Sequence, residues 1–315
     1  MTIGGIHHVT AIAGSPAGNV RFYRDVLGLR LVKRTVNFDD PGTWHLYFGD
    51  AEGTPGSILT FFPHPDVFPG RRGVGQAVEV ALAIPRASLA FWIDRLATEG
   101  VHFSGPRRRF GDTVVSFNDP DGLRLELVAD ASVEHLPGWG GGAVDAQHAI
   151  RGIHGVTLWA STAEGTARVL ASRLGYVAAG EEDGVRRYVR EGAALGRVID
   201  IREPRDVVRG APGAGTVHHV AFRAADDAAQ AEAAAGLGAD GLSVTGQRDR
   251  NYFRSVYFRE PSGILFEIAT DVPGFAVDEP ADALGGALRL PEWLEGEREA
   301  IERALPPLER VEELA

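Results

Sequence analysis

Apolar and polar positions along the chain fall into four segments that share one order. The first opens with the apolar, β-branched run Ile6-His7-His8-Val9-Thr10. Val20, Phe22, Tyr23, Val26 and Leu27 then recur at helical spacing, and Gly28 supplies a stop. Strand-like runs follow at about 30–36, 44–49 and 57–62, the last after the turn Gly53-Thr54-Pro55-Gly56. The second segment has strand-like Val78 to Ile84, a helical run from Leu89 to Leu96, and strands near 113–117 and 123–128. Asp119-Pro120-Asp121-Gly122 joins those last two strands as a turn. The third segment opens with Gly152-Ile153-His154-Gly155-Val156-Thr157, an echo of Gly5-Ile6-His7-His8-Val9-Thr10. The fourth opens with Val217-His218-His219-Val220-Ala221-Phe222. It closes with Glu260-Pro261-Ser262-Gly263-Ile264-Leu265-Phe266-Glu267, which echoes Asp119 to Glu126.

The pattern predicts an α+β chain of four βαβββ modules in two halves. Residues 1–135 hold two modules and residues 151–272 hold the other two. The stretch 136–150, with Gly138-Trp139-Gly140-Gly141-Gly142, reads as a linker. Residues 273–315 lie outside the repeat as a helical tail. There Pro291 to Ala304 reads as a helix with proline in its first turn and Pro306-Pro307 beyond its end, and Trp293 and Leu294 are its expected anchors.

Composition narrows the function classes. A chain of 315 residues has room for two domains and a large core. Its apolar and charged fractions are those of an ordinary soluble globular protein. A net charge of −11 argues against a general nucleic-acid binder, which needs a basic face. No run of 18 apolar residues is present, so no membrane span is expected. The start, Met1-Thr2-Ile3-Gly4-Gly5, lacks the charged and apolar regions of a signal peptide, which makes the cytoplasm the expected location. There is no cysteine. Disulfides, thiolate metal sites, iron–sulfur clusters and cysteine nucleophiles are excluded, so a metal would have to use His, Asp, Glu or water.

Two histidine pairs carry the candidate chemistry: His7-His8 and His218-His219. Each pair starts a strand, where neighbouring side chains point to opposite faces. One histidine of each pair can therefore face inward. Glu267 lies in Ile264-Leu265-Phe266-Glu267-Ile268-Ala269, apolar on both faces apart from the carboxylate. Burying a lone carboxylate is costly unless a cation or donors meet it. Two imidazoles and one carboxylate leave open positions on a metal, which suits oxygen chemistry at Fe(II). Gly73-Val74-Gly75 belongs to no dinucleotide fingerprint, and neither a phosphate loop nor a Gly-x-Ser-x-Gly elbow occurs.

Over residues 5–271 the chain resembles the vicinal oxygen chelate superfamily, which includes glyoxalase I and extradiol ring-cleaving dioxygenases. Within it the chain is most similar to the hydroquinone ring-cleaving dioxygenase branch. The stretches that carry the resemblance are Gly5 to Thr10, Trp44-His45-Leu46-Tyr47-Phe48-Gly49-Asp50, Val217 to Phe222, and Tyr257 to Glu267. Leu290-Pro291-Glu292-Trp293-Leu294 and Leu305-Pro306-Pro307-Leu308 add to it. The resemblance implies two open β-barrels and a metal held by His8, His219 and Glu267, with Fe(II) first and Mn(II) second. Common catechol-cleaving relatives build the site from modules three and four. Here Gly155 stands where module one has His8, and glycine cannot ligate. Modules one and four must then pair, leaving modules two and three as a second barrel without metal, with Glu79, Glu126 and Gly155 at the matching positions.

The resemblance also implies supporting roles around the metal. Tyr257 would donate to a bound oxygen, Arg250 would stabilise an anionic substrate, His218 or His7 would move protons, and Thr10 would hydrogen-bond near the metal. His45, His64, His102, His135, His148 and His154 show no convergent partners and read as core or surface residues. The implied activity is ring cleavage of hydroquinone-like aromatic diols with O2. The expected partners are a small aromatic substrate and O2, with neither nucleic acid nor membrane, and a homo-oligomer is compatible. A glyoxalase-type lyase or isomerase needs four protein ligands, and module one offers no terminal Glu in Ser57 to Phe62. A non-catalytic small-molecule binder of this fold needs no metal triad.

Overall fold

The computed structural model describes residues 3–309. The ends of the expected first module and of the tail, residues 1–2 and 310–315, lie outside the described residues. Module one supplies strands β1 (Ile3–Ala13), β2 (Arg30–Asn37), β3 (Asp40–Gly49) and β4 (Ile58–Pro63). Module two supplies β5 (Gln76–Ile84), β6 (Phe103–Arg109), β7 (Asp112–Asn118) and β8 (Arg124–Ala129). Module three supplies β9 (Gly152–Trp159), β10 (Val177–Glu182), β11 (Val185–Val189) and β12 (Val198–Arg202). Module four supplies β13 (Thr216–Ala224), β14 (Arg248–Asp249), β15 (Phe253–Arg259) and β16 (Leu265–Pro273).

These strands form two eight-stranded curled sheets. One runs β14-β15-β16-β13-β1-β4-β3-β2 and joins modules four and one; the other runs β10-β11-β12-β9-β5-β8-β7-β6 and joins modules three and two. The expected pairing therefore holds. The seam of the first sheet is the antiparallel pair β1/β13, and that of the second is β5/β9. Each seam strand also pairs in parallel with the last strand of its own module. Strand alternation places Val9, Ala11, Val220 and Phe222 in the core, where each is essentially inaccessible.

One helix per module covers a sheet. Ser15 caps the first, accepting from the Gly18 N–H, with Pro16 in the first turn. That helix is short, Pro16–Val20, and continues through Arg21–Val26 as a wider π turn rather than the regular helix the spacing predicts. The run Leu89 to Leu96 is helical through Thr98. An additional edge strand, Phe103–Arg109, was not evident in the periodicity because Arg107-Arg108-Arg109 breaks any apolar pattern.

Both stretches outside the repeat are packed. In 136–150, Val144, Ala149 and Ile150 are buried, and Trp139 lies under the Arg30 guanidinium at 4.9 Å. The tail is held by Lys33, a buried ammonium that donates to the Phe275 carbonyl, Asp278 and Glu279. The expected tail helix is a 3-10 stretch, Glu292–Glu297, followed by a single α-helical segment, Arg298–Ala304. Leu294 anchors it in the core, whereas Trp293 stays half-exposed and only meets the edge of Phe38. No helix among the described residues is long and apolar enough to cross a membrane.

Candidate metal centre

The β1/β13 seam and its neighbour β16 bring His8, His219 and Glu267 together. Glu267 stands opposite Ala221, and His219 stands opposite Thr10. Nε2 of His8 lies 3.3 Å from Nε2 of His219. Glu267 Oε2 lies 2.8 Å from the His219 nitrogen and 3.6 Å from that of His8. All three residues are buried. Among the described residues this is the one group of three His, Asp or Glu side chains whose donor atoms converge.

Both histidine pairs depart from simple alternation. Register shifts between Ile6 and His8, and between Thr10 and Ala11, mark bulges in β1/β13 at His7 and at His218. A bulge re-aims a side chain. As a result both rings of each pair meet edge to face, with Nδ1 to Nδ1 distances of 2.9 Å for His7/His8 and 2.8 Å for His218/His219. When the Nε2 lone pairs of His8 and His219 face the centre, their Nδ1–H groups donate to His7 and His218, which fixes all four tautomers.

The donor set fits a divalent metal. Ligand atoms bonded at about 2.1 Å with angles near 90–110° lie roughly 3.0–3.4 Å apart, close to the spacings found here. Glu267 Oε2 is buried and lacks a hydrogen-bond partner of good geometry, while Oε1 accepts from Ser255 Oγ at 2.5 Å. Burial would raise the Glu267 carboxyl, but His8 and His219 outweigh it and hold the group well below the usual carboxylate range. Burial also lowers His219, against the pull of Glu267. Neutral imidazoles and an ionised carboxylate are the ligand forms a metal requires.

The triad forms the inner wall of a cavity of about 570 Å³. Ile12, Phe38, Phe62, Val67, Phe253 and Leu265 make its apolar sides. Tyr257, directly across the hairpin from Glu267, also faces it, as do Arg250 and His218. Arg250 Nε donates to the Tyr257 hydroxyl at 3.2 Å. Burial, and then the nearby Glu267, push the Tyr257 phenol above its ordinary value, which keeps it protonated. Burial, and then His219, lower His218 to about 4.

Two residues of the expected set do not face the cavity. His7 lies behind His8, packed on Phe253 at 5.3 Å, and burial holds it well below the usual histidine range. Thr10 Oγ1 is bonded to Thr60 Oγ1 at 2.9 Å. Conversely, His45 and His64 do line the cavity, although the sequence marked them as core or surface residues. His45 Nε2 is 2.9 Å from Thr60 Oγ1, and its Nδ1 is 2.9 Å from the Tyr47 hydroxyl. The alternation Trp44-His45-Leu46-Tyr47-Phe48, with apolar residues on one face and polar rings on the other, is the signal that pointed there.

Strand register makes the two sheets comparable position by position. Thr60 stands opposite Thr10 in the first, as Asp200 stands opposite Thr157 in the second. Glu79 stands opposite Thr157 and Glu126 opposite Ala81, matching His219 and Glu267. Gly155 matches His8, and a Cβ there would meet the Val198 carbonyl oxygen at 2.1 Å. No histidine can occupy that position without moving β12. The second barrel thus carries Glu79, Glu126 and Asp200 where the first carries His219, Glu267 and Thr60. Its centre is filled by the Arg109 guanidinium, 3.2 Å from Glu79, in contact with Glu126 and 3.7 Å from Asp200. An internal side-chain cation stands where the first barrel collects metal donors. Asp200, a lone carboxylate in Val198-Ile199-Asp200-Ile201, showed the same signal as Glu267.

Comparison with known proteins agrees with this architecture. The model of the Glyoxalase/Bleomycin resistance protein/Dioxygenase superfamily matches residues 5–127 and 152–268. MhqO of Bacillus subtilis, provisionally named a ring-cleaving dioxygenase, is 46% identical over 305 residues, 97% of this chain and 96% of that protein. A chlorohydroquinone/hydroquinone 1,2-dioxygenase of Sphingobium indicum is 33% identical over 309 residues, covering 96% of this chain and 95% of its own. A crystal structure from Bacillus subtilis, provisionally described as a dioxygenase, superposes with a TM-score of 0.94 at 45% identity, covering 98% of each chain.

Proposed function

The chain belongs to the glyoxalase/bleomycin resistance protein/dioxygenase superfamily, and from that premise we propose that it cleaves hydroquinone-like aromatic diols with O2. It is an extradiol-type ring-cleaving dioxygenase. The observation that carries this reading is the buried His8, His219 and Glu267 triad opening onto a cavity with apolar and aromatic walls.

His8, His219 and Glu267 hold the metal in this reading, with Fe(II) the proposed ion and Mn(II) the alternative, because the donors are two imidazoles and one carboxylate. When bound, such an ion supplies open positions for a phenolate oxygen and for O2. Ser255 orients the carboxylate, and His7 and His218 orient the imidazoles. Phe38, Phe62 and Phe253 accept the flat ring and exclude water.

Tyr257 acts as a hydrogen-bond donor to oxygen that gains negative charge. Its own oxygen accepts from Arg250, which leaves the phenolic hydrogen to donate. Arg250 contributes fixed positive charge beside the same oxygen. His218, with Nδ1 accepting from His219, presents Nε2–H to the cavity as a hydrogen-bond donor. His7 and Thr10 are proposed as positioning residues rather than as groups that touch substrate.

The fourth repeat position argues against a glyoxalase-type isomerase, which needs a fourth protein ligand. Thr60 stands there, with its hydroxyl shared between Thr10 and His45. The test is metal analysis of anaerobically purified protein together with O2 uptake on hydroquinone and on catechol. O2 uptake with a ring-opened product from hydroquinone is expected. Isomerisation of a glutathione hemithioacetal without O2 uptake on any diol would overturn the reading, as would tight ligand binding with no turnover by metal-loaded protein.

A further inference from the structure

We propose that Asp39 sets the substrate charge this cavity accepts, by occupying the two arginines at its mouth and so excluding carboxylated diols in favour of rings with uncharged substituents. The inference rests on the dioxygenase reading of the same cavity. Asp39 lies in the turn between β2 and β3 of module one, and its side chain reaches across the mouth to module four. There it accepts from Arg250 Nη2 at 2.9 Å and from Arg248 Nη1 at 3.5 Å.

The cavity is large for a bare dihydroxybenzene, so the ring has room for substituents. What those substituents can be depends on charge. The fixed acidic and basic groups on the wall are Glu267, Asp39 and Asp40 against Arg248 and Arg250. They sum to −1, which a divalent ion turns to +1. A singly deprotonated diol neutralises that. A ring carboxylate adds a second negative charge, and Asp39 already offsets part of the positive charge of both arginines. In a cavity walled by aromatic and aliphatic side chains, that surplus is poorly solvated. The Asp39 side chain is 59% exposed, so the ion pair adds little to fold stability. Its consequence is for the charge offered to a ligand.

The test compares 2,5-dihydroxybenzoate with its neutral counterpart of the same size, 2,5-dihydroxybenzamide. In the wild type the amide is expected to have the higher kcat/KM. In Asp39→Asn the preference should fall by about 10–100-fold, through KM for the carboxylate, as the positive charge of both arginines is no longer offset. Asp39→Glu should keep the wild-type order. A purely structural contact would slow both substrates together and leave their ratio alone. The same pair is measured by calorimetric binding to metal-free protein, a readout that needs no turnover, with Asp39→Asn gaining affinity for the carboxylate alone. A wild type that prefers the carboxylate would overturn the proposal. So would a ratio in Asp39→Asn within about threefold of the wild-type value in both assays. If no diol is turned over, the dioxygenase reading fails, while the binding ratio still decides the role of Asp39.

Discussion

Replacing Arg109 by alanine should cost the metal-free protein roughly 3 kcal/mol of stability, the lower end of the range for breaking a buried ion pair from one side. The three carboxylates around the guanidinium are close to fully buried: the side chains of Glu126, Glu79 and Asp200 are 0%, 7% and 3% exposed. The lower end applies because Arg107 still reaches Glu126 at 2.7 Å and Arg124 still reaches Glu79 at 2.5 Å, both from partly exposed positions. Urea denaturation at pH 7 with chelator, followed by circular dichroism, measures the loss. Removing one of the stranded charges should recover part of it. Glu126→Gln in the Arg109→Ala background should show a coupling of about 1–3 kcal/mol.

The pH dependence has a definite sign. Burial acts to raise the Glu126 carboxyl, but Arg109, Arg107 and Ser116 outweigh it and hold the group below its ordinary range. In the wild type Glu126 thus contributes stability above its unfolded value of about 4.3, and that contribution fades as pH falls through the lower folded value. Without Arg109, burial is opposed only by Arg107 and Ser116, and the folded value should rise above the unfolded one. The penalty is then absent below about pH 4 and grows as pH rises through the raised value, so the variant's deficit should shrink on acidification. A loss under about 1 kcal/mol at pH 7, or a deficit that stays constant down to pH 4.5, would refute the view that Arg109 serves the second barrel as its cation.

Three further outcomes are expected. His8→Ala, His219→Ala and Glu267→Ala should each lose most of the bound metal by elemental analysis with circular dichroism retained, whereas His154→Ala, whose ring meets Asp130 in the other barrel, should keep it. Tyr257→Phe should hold its metal and lose about 10²–10³-fold in kcat, the scale of one deleted transition-state donor; an unchanged kcat removes Tyr257 from the chemistry. Asp119 accepts from the Tyr23 hydroxyl and from backbone N–H groups, yet burial raises it to about 6. Its contribution is full below the unfolded value of about 3.9 and is lost as pH rises through about 6, so the wild type should lose about 2 kcal/mol relative to Asp119→Asn between pH 4.5 and 7.5. A gap between the two proteins that does not change with pH would contradict this.

Much of the fold could be read in the sequence because its signals are local and repeated. A βαβββ module announces itself through apolar period, turn residues and recurrence, and four echoes of one pattern are hard to produce otherwise. The absence of a side chain at Gly155 carried unusual weight, since a residue that cannot ligate redirects the pairing of whole modules. The two histidine pairs and Glu267 were visible for the same reason, as polar groups at matching places in otherwise apolar strands, and the resemblance chose the three donors among them. What failed were inferences that needed neighbours. His45 and His64 showed no convergent partners because Thr60 and the cavity itself are brought to them by other strands, Tyr47 being the one local partner of His45. Alternation placed the two histidines of each pair on opposite faces, and bulges in β1/β13 brought both rings of each pair into contact instead.

Residue types and their recurrence determined the modules, the exclusion of thiolate chemistry, and the histidine pairs and carboxylate among which the resemblance singled out His8, His219 and Glu267. Only the tertiary structure decided how the wall of the cavity is made, which carboxylate meets Arg248 and Arg250 there, and what fills the second barrel. Asp39 and Arg250 stand 211 residues apart, and Arg109 meets Asp200 across two modules. No local pattern encodes such contacts, because ion pairs depend on distance and burial in the folded chain and not on spacing along it.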